Sequence, residues 1–361
     1  MKIYIISALN GNKFAGPSYS VPRTVYQLSF TEMIIWINVG YNYECNEEIK
    51  KRIIYINYIE YKKKGVQNIF NEYGEPEIAI FEELYNLEFC FIAKTLHKRK
   101  IPYMIVPRGC LCSDAQSKKI IKKKLANLLF FNRFIKNASC IQYLTKNEAK
   151  DSGRVWNKNY CIIPNGIDIS NVDIKKNYTK PIKGIFIGRI DIFHKGLDLF
   201  ISAFAEWNKK HKDNLVVDIY GSDSIGDKKK IISLINNKNL NNIIHVHGPI
   251  YDEDKKNELL SHDFFILTSR FEGHPMGLLE ALSFGLPALV TEGSNMRQEI
   301  YDYNCGWTSD NSVEGIIRSL DLLYNDMSKL KEMSNNALKL ARQYSWEIIS
   351  EMIINQINIY K

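Results

Sequence analysis

The chain has 361 residues, 45% of them hydrophobic and 24% charged, which suits two globular domains and excludes a disordered chain. Its net charge of +8 belongs to the first half: residues 1–170 hold 25 Lys and Arg against 15 Asp and Glu, the remainder 23 against 25, so an anionic partner is expected for the first half. No stretch approaches the roughly twenty apolar residues of a membrane-spanning helix, and seven scattered cysteines read as reduced thiols of a cytoplasmic protein, not as a disulfide framework.

Residues 2–8 read as a first buried strand, too short an apolar run to be a signal peptide. Gly11 and Gly16 have the spacing of a phosphate loop, but no Lys-Ser/Thr follows Gly16 and GxGxxG is absent. The segment is either an ordinary turn or another kind of glycine loop, ahead of a helix from Tyr19 onward. Further strands are predicted at 52–57, 77–81 and 103–106, with the lysines of 61–64 as a solvated helix end. The strand at 103–106 runs into Pro107, Arg108 and Gly109, at the end where doubly wound folds place their ligands. Arg108 has two readings: a structural partner of Glu82 or Glu83 across adjacent strand ends, or a ligand contact. Cys110 and Cys112 lack a second Cys or His pair nearby, so no metal is expected there.

Residues 117–136, SKKIIKKKLANLLFFNRFIK, lie in a stretch with eight Lys or Arg and no acid between Asp114 and Glu148. Ile120, Ile121, Leu125, Leu128, Leu129 and Ile135 recur near helical spacing. The segment is either a helix packed on its own domain with a solvated basic face or a helix that touches an anionic membrane surface. No nucleic-acid-binding module appears, and no nucleic acid is expected as a partner. A strand at 140–145 follows, Asn165-Gly166 makes a turn, and the polar residues 171–183 read as a hinge. Strands at 184–188, 216–221 and 243–248 open a second sheet. His245 and His247 alternate and share one face, without a third metal ligand. Asp252-Glu253-Asp254 fits D-x-D and is expected to cap a helix.

Residues 264–291, FFILTSRFEGHPMGLLEALSFGLPALVT, organise the second half. The apolar run at 264–267 reads as a strand, and Ala288-Leu289-Val290 as another. Pro275 stands where a helix would start and Gly285 where it would stop. Strand, helix, strand implies a parallel sheet. Glu272 lies in the loop and Glu280 within an otherwise apolar helix with no Lys or Arg to pair with, so Glu280 reads as a site residue more readily than as a solvated one.

Glu272-x7-Glu280, followed by Ala281-Leu282 and Gly285-Leu286-Pro287, resembles the nucleotide-sugar signature of the group one retaining glycosyltransferases, whose GT-B architecture is two Rossmann-like domains facing a cleft. The resemblance implies that Glu272 contacts the donor sugar and that Glu280 binds the ribose hydroxyls, as a carboxylate does in dinucleotide folds. It places His274 and the amides of Met276, Gly277 and Leu278 on the donor side, the amides toward the diphosphate. Arg189 and Lys195, six apart after the strand at 184–188, match the family's phosphate-binding pair, a planar fork and a point charge. Gly16 resembles the family's first glycine loop, Gly248 the turn that holds the base by main chain, and residues 162–168 the segment that closes the first domain. Two positions depart: relatives often carry His where this chain has Glu82, and Pro-His-Gly where it has Pro107-Arg108-Gly109.

The expectation is an α/β protein of two doubly wound Rossmann-like domains, 1–170 on the acceptor side and 171–345 binding the nucleotide sugar. A final helix at 346–361 is expected to return to the first. The expected function is retaining glycosyl transfer from a nucleoside diphosphate sugar to a glycan or lipid-linked acceptor hydroxyl in surface polysaccharide synthesis. Glu272, Arg189 and Lys195 would be catalytic, and no metal or other cofactor is expected. Another GT-B enzyme, such as an epimerase or phosphorylase, and a non-catalytic membrane-docked nucleotide-binding protein are the alternatives.

Overall fold

The computed structural model describes residues 1–360 except 12–15, 118–119, 154–155, 171–177, 213 and 224–225. It divides into two compact units, Met1–Gly166 with Trp346–Lys361, and Ile167–Ser345.

The first unit carries seven strands: β1 (Lys2–Ser7), β2 (Met33–Asn38), β3 (Ile54–Ile56), β4 (Ile78–Glu82), β5 (Tyr103–Val106), β6 (Cys140–Tyr143) and β7 (Tyr160–Ile162). They pair in parallel in the order β3-β2-β1-β4-β5-β6-β7. Continuous apolar runs such as Ile3 to Ile6 are buried on both faces, which is what helices on both sides of a parallel sheet require. The sequence reading passed over β2, although its Ile34, Ile35, Trp36 and Ile37 are all buried. The helix after β1 begins at Gly16, ahead of Tyr19, with Pro17 in its first turn, where a missing N–H costs no hydrogen bond. Residues 61–64 lie inside the helix Tyr58–Tyr73 and do not end it. Lys64 there pairs with Glu60 and Glu72, and the helix bends at Gly65, whose φ of +70° suits glycine.

The helix Trp346–Asn358 closes the first unit. Ile349, Ile353 and Ile357, spaced four apart, bury against Ile5, Val21 and Trp36. At its start the Trp346 ring presses so close to Gly166 that a Cβ there would lie 2.3 Å from it.

The second unit has six parallel strands: β8 (Ile182–Ile187), β9 (Leu215–Tyr220), β10 (Ile244–Val246), β11 (Phe264–Leu267), β12 (Ala288–Thr291) and β13 (Gly306–Ser309). Their order is β10-β9-β8-β11-β12-β13, so chain progression runs outward from β8 and then reverses direction at β11. β11, the helix Met276–Ser283 and β12 form the strand-helix-strand unit expected from the sequence. Gly285, with φ +74°, ends the helix as a C-terminal glycine does.

Candidate active site

In an open doubly wound sheet, ligands bind beyond the carboxyl ends of the strands, where the strand order reverses. In the second unit that point lies between β8 and β11. The loop after β8 carries Arg189 and Lys195, and the loop after β11 carries Glu272. Arg270 laces the two loops together. Its guanidinium donates twice to Asp198, at 2.8 and 2.7 Å, and once to the Phe193 carbonyl at 2.6 Å, while its amide donates to the His194 carbonyl at 2.9 Å. The loops approach so closely that a Cβ on Gly196 would lie 2.0 Å from the Thr268 carbonyl oxygen.

This lacing brings Lys195 and Glu272 together. Lys195 Nζ donates to Glu272 Oε1 at 2.6 Å, and Ser269 Oγ donates to the same oxygen at 2.5 Å. Both side chains are largely buried, and Asn295 donates its amide to the Glu272 carbonyl. Arg189 is more open. Its Nη2 lies 3.4 Å from Asp191 Oδ2 and 3.1 Å from His194 Nδ1. The opposite nitrogen of His194, Nε2, sits 2.7 Å from the Phe271 carbonyl, so the neutral tautomer that donates there accepts from Arg189 at Nδ1. Burial first and Lys195 second push the His194 pKa down, which favours that neutral form.

The start of the helix Met276–Ser283 differs in detail from the expectation. The Met276 amide turns back to the His274 carbonyl and the Leu278 amide to the Pro275 carbonyl, both at 3.0 Å. Of the three amides singled out, Gly277's alone has no acceptor among the described residues. A Cβ at Gly277 would lie 3.1 Å from the Ile187 carbonyl, so glycine lets the helix start sit close over the end of β8. Both ring nitrogens of His274 are buried without a hydrogen-bond partner, and burial lowers its pKa to about 4. A neutral imidazole with two unsatisfied polar atoms beside Glu272 is costly unless a ligand completes it. Glu280 is half-buried and paired with Lys255 of the helix Asp252–Ser261, a partner that no local sequence pattern indicates.

Gly248 follows β10, and its carbonyl accepts from the Gly221 amide at 3.2 Å. A Cβ at Gly248 would meet nothing within 4 Å, so the main chain there is open to approach. Nearby, Asp218 accepts from His247 at 2.6 Å and from His262 at 3.1 Å. Burial would raise the Asp218 pKa, but those two bonds outweigh it and bring the value to about 2. His245 Nδ1 lies 3.4 Å from the same carboxylate, so His245 and His247 both face Asp218, and no group of three metal-ligating side chains occurs among the described residues. Asp252, Glu253 and Asp254 lie inside the first turn of their helix and do not cap it; the capping position is Tyr251, without a side-chain cap bond.

In the first unit the reversal lies between β1 and β4. Gly16 starts its helix, and residues 12–15 before it lie outside the described residues. At the end of β4, Glu82 is held by Arg108, whose Nη2 and Nε donate to Oε2 at 2.6 and 3.1 Å. Arg108 Nη1 donates to Asn165 Oδ1 at 3.0 Å. The two charged side chains are only 9% and 3% exposed. Of the two readings of Arg108, the geometry displays the structural partnership. Glu148 fixes the same corner, accepting from the Gly109 and Leu144 amides at 2.6 and 2.7 Å.

Several residues of these constellations had not been singled out from the sequence: Arg270, Ser269, Asn295, Lys255 and Asn165. Arg270 did leave a signal, as the one Lys or Arg within residues 264–291. Ser269 meets Glu272 within its own loop, and the other three are ordinary polar residues whose partners lie on other elements.

Both units are doubly wound and Rossmann-like, with loops gathered at the strand ends where such folds hold ligands. Residues 170–340 match the model of the family described as Glycosyl transferases group 1. That match lies within the second unit and covers less than half of the chain. An uncharacterized glycosyltransferase of Haemophilus influenzae is 24% identical over 61% of this chain and 62% of its own length. The capsular polysaccharide biosynthesis glycosyltransferase CapH of Staphylococcus aureus is 30% identical over 36% of each. The chain spans less than two thirds of the length of the curated relatives that match it first. Among solved structures, Anabaena HepE in complex with UDP and glucose superimposes with a TM-score of 0.69 at 15% identity, over 99% of this chain and 100% of that one. The likeness is one of fold, and that fold is GT-B.

Proposed function

We propose that this protein is a retaining glycosyltransferase that moves a sugar from a nucleoside diphosphate sugar to a hydroxyl of a glycan or lipid-linked acceptor, in the synthesis of a surface polysaccharide. The observation that carries this reading is the Lys195–Glu272 pair at the strand-order reversal, with Arg189 beside it. Lys195 and Arg189 supply positive charge where a diphosphate leaves, and the Gly277 amide adds a donor. In the transfer, the bond from the anomeric carbon to the diphosphate oxygen breaks with its electron pair going to the diphosphate. The acceptor oxygen bonds to the same carbon, and its proton passes to the departing diphosphate oxygen. Glu272 stands ready to stabilise the positive charge that grows on the sugar, and the unsatisfied His274 nitrogens provide a polar contact for the donor. Glu280 would take the ribose diol, with Lys255 orienting the carboxylate. The kinship to CapH supports the polysaccharide setting, and the HepE complex supports a nucleotide-linked donor.

A thermal-shift screen of nucleoside diphosphates tests the first element, because a ligand that binds only the folded state raises Tm. A labelled-donor assay with product analysis tests the second. Free sugar phosphate, an epimerised nucleotide sugar, or nucleotide binding without turnover would each reject it. In that assay Glu280→Gln is expected to raise donor KM about ten- to a hundredfold at nearly unchanged kcat, because a ribose contact persists from ground state to transition state. An unchanged KM would remove Glu280 from the site.

Turnover is also expected to survive excess chelator with little change, since Arg189, Lys195 and the helix start already oppose the diphosphate charge. Strict dependence on added Mg²⁺ or Mn²⁺ would overturn that expectation.

A further inference from the structure

Residues 120–136 do not bury the face that their apolar spacing suggests. The chain runs as a helix over Ile120–Ala126, widens into a π-helical turn over Asn127–Phe131 and resumes as a helix over Asn132–Lys136. Phe131 at the end of the wider turn, and Phe134 and Ile135 after it, enter the core of the first unit. Apolar residues before the turn and within it face outward: Ile121 is 80%, Leu128 73% and Leu129 60% exposed, with Leu125 and Phe130 beside them. Scattered exposed leucines are ordinary, but an apolar ridge of this length within one helical segment is a surface that expects a partner.

Cations surround the ridge. Lys122, Lys124, Arg133 and Lys136 come from the same segment, and the helix Leu87–Lys98 adds Lys94, Lys98 and the exposed Phe91. Among the described residues, none of these six cations takes part in an ion pair. Two recesses flank the ridge. One, of about 270 Å³, lies between Phe91, Lys94 and Lys98 on one side and Leu129, Phe130 and Arg133 on the other. The second, of about 450 Å³, is lined by Lys124, Leu128, Lys136 and Trp156 among others. No Asp or Glu lines either recess.

We propose that this composite face, the 120–136 segment together with the Leu87–Lys98 helix, docks the first unit on an anionic phospholipid surface. Aliphatic side chains at the centre enter the boundary between headgroups and acyl chains. The lysines and Arg133 meet lipid phosphates, with the two recesses as headgroup seats. Charge complementarity selects this occupant, because a protein partner or a second copy of this chain would set its own apolar residues against the ridge without needing six unpaired cations. Nucleic acid is disfavoured because the exposed centre is aliphatic, whereas single strands are held by stacking on aromatic rings. Docking is independent of the donor chemistry proposed above, and its test uses no sugar nucleotide.

The experiment is flotation of the full-length protein with vesicles of phosphatidylcholine alone and of equal parts phosphatidylcholine and phosphatidylglycerol. The protein should float with the anionic vesicles only, and binding should fall as salt rises, since exposed charges are screened within about 8–10 Å. Replacing Lys94, Lys122, Lys124 and Lys136 together by Gln should lower the partition coefficient by about two to three orders of magnitude. Replacing Ile121, Leu128 and Leu129 by Ser should leave only a weak, salt-sensitive attachment. Both variants alter exposed side chains, so their Tm should match the parent's. Absence of flotation by folded parent protein, equal binding to both vesicle types, or indifference to both variants would overturn the proposal. So would sedimentation showing a dimer that the Ser variant disperses, which would assign the ridge to a second copy of the chain. Turnover on a soluble acceptor separates a failure here from a failure of the glycosyltransferase reading.

Discussion

Lys195→Met is expected to lower kcat/KM for the nucleotide sugar by roughly two to three orders of magnitude, the effect of removing one preorganised charge from a developing anion. The substitution has a second consequence. Glu272 Oε1 receives Lys195 Nζ at 2.6 Å in a largely buried setting, so removing the cation leaves a carboxylate with only Ser269 to satisfy that oxygen. Breaking a buried pair from one side costs about 3–5 kcal/mol, so part of the lost activity could be lost folded protein. The double variant Lys195→Met/Glu272→Gln separates the two effects. It removes the stranded charge and should recover most of the stability while remaining as inactive as the single variant. Kinetic constants corrected for folded fraction are the measurement. A double variant that regains parental kcat/KM would show that the pair is structural and that the diphosphate is held elsewhere.

The second large effect is expected in the first unit. Arg108→Met should destabilise that unit by about 3–5 kcal/mol, because it leaves Glu82, at 3% exposure, without its guanidinium. For a domain of this size each kcal/mol shifts Tm by about 2–4 °C, so the transition should fall by roughly 6–20 °C. Glu82→Leu/Arg108→Met should restore most of it, since a buried ion pair is often replaceable by apolar residues of similar volume. The ligand role of Arg108 predicts a different pattern. Arg108→Lys keeps a cation for Glu82 but loses the fork that reaches Asn165, so a donor contact would appear as a raised KM at nearly unchanged Tm. A fall in Tm with parental KM would assign the residue to structure alone.

These two constellations show how far local sequence carries. The organising stretch at 264–291 was legible because each level agreed: an apolar run of strand length, Pro275 before the helix and Gly285 after it, and charges so few that Glu272 and Glu280 stood out. The β2 strand was missed although its run is as apolar as that of β1; both are buried on two faces and neither alternates. For the 120–136 segment the spacing left a packed and an outward reading open, and only the fold divided it, burying Phe131, Phe134 and Ile135 and leaving Ile121, Leu125, Leu128 and Leu129 exposed.

By itself the sequence determined the doubly wound α/β class, the Glu272 and Glu280 positions, the Arg189 and Lys195 pair of cations, and the clustering of charge in the first half. Those features depend on residue type and on spacings of a few residues, which the chain states directly. Which charge meets which was decided only in three dimensions. Lys195 reaches Glu272 across 77 residues, Arg108 reaches Asn165 across 57 and Glu82 across 26, and Lys255 reaches Glu280 across 25. Lys195 with Glu272, and Arg108 with Glu82 and Asn165, join separate elements at strand ends, Lys255 with Glu280 joins two helices, and their separations in sequence carry no period. Strand order brings them together: parallel strands present all their carboxyl ends on one edge of the sheet, and side chains far apart in the chain meet there.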